Sequence, residues 1–156
     1  MKLLIKSMPY QFKHHGQHHC EAVVLSCIDF RFWSHIVEHI KNEFNISDFD
    51  FPSLPGAAKA INNKHNDSAG LAMSCIDVPV RLHNVQKIII INHADCGAYG
   101  GRANFGHDLE AELAFHRAEL QLAKDTLAEK YPDKEIITLF VQFDEEQSLV
   151  DILTIS

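Results

Sequence analysis

A chain of 156 residues, 46% of them hydrophobic, suits one domain with a single core and needs no disulfide staples. Its formal net charge of -7, with no basic run, argues against a nucleic-acid phosphate backbone as partner. No apolar stretch approaches membrane-spanning length, and Met1-Lys2-Leu3-Leu4-Ile5-Lys6 is apolar too briefly for a signal-peptide core, so the expectation is a soluble, cytoplasmic protein with reduced cysteines.

Residues 1–22 read as a His-rich amino-terminal segment, and residues 23–156 as one domain. His14, His15, His18 and His19 surround Gly16. Such a cluster can bind a divalent metal, but without a rigid scaffold it reads as a solvated, partly flexible segment. Cys20 reads as a bystander thiol. The β-branched run from Val23 predicts a strand that ends in Cys27-Ile28-Asp29-Phe30-Arg31.

Ser34 is placed to cap a helix from about His35 to Phe44, with Ile36, Val37, Ile40 and Phe44 at helical spacing. His35 and His39, four apart, have a chelating spacing but read as solvent-facing. Asp48 to Ser53 predicts a short second strand, closed by Pro52 and Pro55 before Gly56. The next helix starts at Asp67 or Ser68 with Leu71, Cys75, Val78 and Leu82 as its apolar stripe, and Pro79 ends or kinks it.

Lys87-Ile88-Ile89-Ile90-Ile91-Asn92 predicts a strand buried on both faces, which delivers His93-Ala94-Asp95-Cys96-Gly97 at its carboxyl end. A long helix from about Asp108 to Lys130 follows, with Leu109, Leu113, Leu120 and Leu127 as its buried face. His107 and His116 are candidates for proton relay, or ordinary surface and half-buried histidines. Glu135 to Phe143 and Leu149 to Ile155 predict two last strands across a hairpin.

This order predicts an α/β fold: a mostly parallel sheet of four to five strands, order 2-1-3-4, with an antiparallel edge strand and helices on both faces. The first and third strands then lie side by side with both carboxyl ends at the switch point. A crevice there gathers Cys27, His93 and Cys96, whose thiolates and imidazole suit one zinc ion. Singly, each cysteine is more often a buried thiol, and Asp29 with Arg31 a structural ion pair; their conjunction carries the reading.

The two strand ends together resemble the β-class carbonic anhydrases, whose pattern is Cys-x-Asp-x-Arg after the first strand and His-x-x-Cys-Gly after the third. Here these are Cys27-Ile28-Asp29-Phe30-Arg31 and His93-Ala94-Asp95-Cys96-Gly97. The resemblance implies zinc-dependent, reversible hydration of carbon dioxide to bicarbonate by metal-bound hydroxide, with one Zn²⁺ per chain on Cys27, His93 and Cys96. It implies that Asp29 and Arg31 form a catalytic dyad, Asp29 orienting the nucleophile and Arg31 keeping Asp29 ionised; in some members the Asp instead becomes a fourth zinc ligand. It also implies a homodimer or higher homo-oligomer.

The chain departs from the family at Ser53-Leu54-Pro55-Gly56-Ala57-Ala58-Lys59, where a sequence of the type Arg/Lys-Asn-Ala-Gly is typical; Gly56 can stand for the family glycine, and the Asn has no counterpart. Asp95 can hydrogen-bond its own turn or act in the chemistry. Two other functions fit the same residues: hydrolysis of carbonyl sulfide or carbon disulfide, and a non-catalytic zinc-binding domain closed by Asp29.

Overall fold

The computed structural model describes residues 9, 11, 18–63, 67–146 and 148–155; His14 and His15 lie outside them. Among the described residues five strands form one sheet: β1 (Ala22–Ser26), β2 (Phe49–Asp50), β3 (Lys87–His93), β4 (Glu135–Asp144) and β5 (Leu149–Ile155), in the order β2-β1-β3-β4-β5. The first four are parallel and β5 returns antiparallel along β4, as the sequence predicts.

The isoleucine run explains why the sheet is covered on both sides. Ile88 and Ile90 face Val23, Leu25 and the helices α2 (Ala58–Asn62), α3 (Asp67–Val78) and α4 (Leu109–Lys130), through Ala58, Ile61, Ala72, Ile76, Leu120 and Leu127. Ile89 and Ile91 point the other way, into Val24, Leu139, Val141 and Ile36 and Ile40 of α1 (Trp33–Glu43). Alternating side chains on a central strand thus serve two cores, and each buried isoleucine contributes about 1.5–3 kcal/mol.

Local differences from the sequence reading have simple causes. Helix α1 begins at Trp33 with Phe32 at its N-cap and no side-chain cap, so Ser34 lies inside the first turn. On α3 the buried positions include Ala72 and Ile76, whereas Leu71 and Val78, and Leu82 in the turn beyond, are exposed. Both faces of that helix are apolar, and periodicity alone picks the wrong one. Pro79 does end the α-helix; the chain continues as a π-helical turn over Pro79–His83 and stops at Asn84, whose φ is 54°. On α4 the buried line is Glu112, His116, Leu120, Ala123 and Leu127, while Leu109 is exposed just after the Asp108 cap.

Candidate metal centre

The parallel register pairs Ala22 with Lys87 and Ser26 with Ile91, so the chain leaves β1 at Cys27 close to where β3 ends in His93. Asp95, at φ 56°, reverses the chain and brings Cys96 back. Cys27 Sγ and Cys96 Sγ lie 3.8 Å apart, and the donor atoms of Cys27, His93 and Cys96 all fall within 4.8 Å of one another.

His93 is 3% exposed. Its Nδ1 sits 2.8 Å from the Ala94 carbonyl oxygen, which can only accept, so the proton is on Nδ1 and Nε2 carries the lone pair. That Nε2 is buried with no hydrogen-bond partner. Two sulfurs beside an orphaned imidazole acceptor are a donor set that fits zinc and leaves it a fourth position.

The thiols are electrostatically unequal. The Cys96 thiol beside it, helped by His93 and the Gly56 amide, lowers Cys27 to about 4 despite burial, while Cys27 and burial push Cys96 up. For His93, burial favours the neutral ring, yet Cys27 and the Ala94 carbonyl raise its pKa on balance.

The loop that departs from the family contributes through its backbone. The Gly56 N–H donates to Cys27 Sγ at 3.3 Å. Gly56 has φ 75°, and a Cβ there would sit 3.0 Å from Lys59 Cβ and 3.1 Å from Ala98 Cβ, so the approach requires glycine. Asn92 fixes this loop by accepting the Ala58 N–H at 3.1 Å, and Tyr99 donates its hydroxyl to the Gly56 carbonyl at 3.3 Å.

Asp29 and Arg31 form a forked pair. Arg31 Nη2 donates to Asp29 Oδ2 at 2.6 Å and Nε to Oδ1 at 2.9 Å, and the Arg31 amide donates to Oδ1 at 2.9 Å. The guanidinium holds the Asp29 carboxyl below its ordinary range. Asp29 Oδ2 is 3.8 Å from His93 Nε2, beside the sulfur cluster. Asp95 accepts the Arg102 amide through Oδ1 at 3.1 Å and pairs with Arg31 Nη1 through Oδ2 at 3.2 Å, so it serves the turn and steadies Arg31 together.

Among the described residues His35 and His39 join no group of three potential ligands, and His107 is exposed. Cys75 is half-buried on α3. Two residues that support the site escaped the sequence reading. Asn92 hides at the end of an apolar strand, and Glu112, 1% exposed, accepts the Asp95 amide at 2.6 Å. The available signal was a carboxylate and a histidine, Glu112 and His116, at i and i+4 in line with Leu120 and Leu127.

His116 is fully buried and contacts Asn92 through Nδ1 at 3.1 Å. Burial, the dominant cause, lowers its pKa from 6.5 to about 4. The unfolded chain therefore takes up a proton as pH falls through about 6.5, while the folded chain resists until about 4. Stability should be lost across that window by up to about 3 kcal/mol. Urea midpoints measured from neutral pH to about pH 4 should fall more steeply for the wild type than for His116→Gln. Equal slopes would remove His116 from the acid response.

The folded chain matches solved carbonic anhydrases. A carbonic anhydrase from Glaciozyma antarctica is 14% identical with a TM-score of 0.52, over 86% of this chain and 81% of that one. A tetrameric β-carbonic anhydrase from Sordaria macrospora is 16% identical with a TM-score of 0.54, over 88% and 82%. At that identity the likeness establishes the fold. The family model described as "Putative carbonic anhydrase" matches residues 17–151, and the chain belongs to that family. Among its relatives, uncharacterized protein RC0076 of Rickettsia conorii is 32% identical over 128 residues, 79% of this chain and 68% of that protein.

Proposed function

We propose that this chain catalyses the reversible hydration of carbon dioxide to bicarbonate, with one zinc ion held by Cys27, His93 and Cys96. The observation that carries the reading is the orphaned Nε2 of buried His93 facing two sulfurs, with the Arg31-clamped Asp29 beside them. Zinc at that position supplies Lewis acidity that lowers the pKa of water toward neutrality. Two thiolates and a neutral imidazole offset its two charges, so a hydrogen-bond acceptor has more to contribute than beside three histidines.

Asp29 is that acceptor. It takes a hydrogen bond from the water that attacks carbon dioxide and so aims the oxygen lone pair at carbon; the surplus proton leaves to buffer. Arg31 holds both Asp29 oxygens, keeping the carboxylate charged and fixed in orientation beside the three donors. Gly56 steadies the Cys27 thiolate, and Glu112 with Asp95 steadies the turn that carries Cys96. Residues 23–156 make up this zinc domain, with the His-rich segment 1–22 ahead of it. A reducing compartment such as the cytoplasm suits two facing thiols that serve as ligands.

Stopped-flow assay of zinc-quantified protein is expected to show hydration that rises from neutral to alkaline pH and exceeds turnover of carbonyl sulfide. Protein with one zinc on these residues and no hydration at any pH would overturn the reading; faster carbonyl sulfide turnover would transfer it to that substrate.

Ile28, Phe30 and Trp33 are 60%, 84% and 58% exposed, an apolar group set around the Cys27–Arg31 stretch. Together with the tetrameric description of the Sordaria protein, this supports a homo-oligomer. Sedimentation at micromolar concentration should show an assembly that Phe30→Glu weakens; a wild-type monomer would contradict it.

A further inference from the structure

A second cluster of metal-binding groups lies at the other end of the sheet. Cys20 precedes β1, Asp50 ends β2, and His83 closes the π-helical turn before β3. Their donor atoms lie within 4.8 Å of one another. Cys20 Sγ is 3.3 Å from Asp50 Oδ2, and His83 Nδ1 is 2.6 Å from the same oxygen. The sequence leaves these residues unconnected, 30 and 33 positions apart, and reads Cys20 as a bystander. We propose that Cys20, Asp50 and His83 form a second divalent-cation site, of the zinc type, separate from Cys27, His93 and Cys96.

The donor set selects the cation. One thiolate sulfur, one imidazole nitrogen and one carboxylate oxygen suit zinc, cobalt(II) or nickel(II), and do not suit magnesium or calcium, which favour oxygen alone. Tetrahedral zinc spaces its ligand atoms roughly 3.3–3.6 Å apart. The Cys20–Asp50 spacing already meets this, and the His83 ring has to withdraw by less than about 1 Å. The His18 ring packs at a tilt beside His83, with centroids 5.5 Å apart, and is not one of the three mutually close donors.

The backbone holds the cluster in place. The Cys20 amide donates to the His83 carbonyl at 3.1 Å, the Glu21 amide to the Asp48 carbonyl at 2.9 Å, and the Gln86 amide to the Glu21 carbonyl at 3.1 Å. The left-handed Asn84 ends the turn directly after His83. The side chains of His83 and Asp50 are 26% and 31% exposed, so a cation reaches them from solvent. From Cys20 to Cys27 the strand path spans roughly 20 Å, so one ion cannot serve both clusters. The site is structural in kind: it ties the entry to β1, the two-residue strand β2 and the approach to β3, and stabilises the fold in proportion to bound metal.

Cobalt(II) titration of the metal-stripped full chain, made without an affinity tag, tests this. Two equivalents are expected for the wild type and one for Cys20→Ser or His83→Ala. Cys27→Ser/Cys96→Ser should keep one equivalent with a sulfur-to-cobalt charge-transfer band that disappears when Cys20 is also replaced. In the wild type, stoichiometric zinc should slow alkylation of Cys20 at least tenfold, a readout that needs no variant to fold. A single equivalent lost in Cys96→Ser and unchanged in Cys20→Ser overturns the second site and leaves the first. A single equivalent that depends on Cys20 alone supports the second site and removes the first. A second equivalent that survives in Cys20→Ser with its spectrum intact belongs to other histidines, and overturns the proposal.

Discussion

Cys96→Ser is expected to strip zinc from the Cys27, His93 and Cys96 centre and reduce carbon dioxide hydration to background. Cys96 is 1% exposed and its sulfur faces Cys27 at 3.8 Å, so the replacing hydroxyl stays buried at the same place without a thiolate's affinity for zinc. Loss of a supporting hydrogen bond alone typically costs 10–100-fold in metal affinity, and loss of a ligand should exceed about a hundredfold. Zinc content after dialysis, measured in a Cys20→Ser background to silence the second cluster, gives the answer. A fully loaded variant would take Cys96 off the ligand list.

Asp29→Asn should behave in the opposite way, keeping zinc while losing about a hundredfold in turnover. The amide is nearly the same shape, yet it has neither the negative charge that Arg31 grips nor the same readiness to accept a proton-sharing hydrogen bond. Because Arg31 holds the Asp29 carboxyl below its ordinary range, Asp29 is ionised throughout neutral and alkaline pH, and its titration falls only on the acid side. The rise of activity toward alkaline pH should therefore persist in the variant at reduced amplitude. Unchanged turnover with zinc in place would refute the role given to Asp29.

The sheet order and the gathering of Cys27, His93 and Cys96 were legible because strongly apolar strands punctuated by polar turns leave few topologies. The resemblance of two short motifs then linked residues far apart in sequence. Less legible was which side of a helix faces inward. On α3 both sides are apolar, and on α4 the buried line begins with Glu112 and His116, so a count of leucines placed Leu109 inside. Gly56 was legible as a point of close backbone approach, but the bond from its amide to Cys27 Sγ was not, because a backbone group carries no letter. The meeting of Cys20 with Asp50 and His83 was not legible because the three come from segments whose convergence only the folded sheet reveals.

The five-pair register between β1 and β3 also divides the chain into parts that tolerate length variation and parts that do not. Deleting one residue within Ala22–Ser26 would draw Cys27 back by about 3.3 Å and exchange the two faces of the strand, separating its sulfur from His93 while leaving composition and hydropathy almost unchanged. The hairpin between β4 and β5, by contrast, lies outside the three donors and can lengthen without moving them. Evolutionary drift in chain length should therefore collect in that hairpin, and intact spacing from Ala22 to Cys27 and from Lys87 to Cys96 is a stricter mark of a working relative than overall identity.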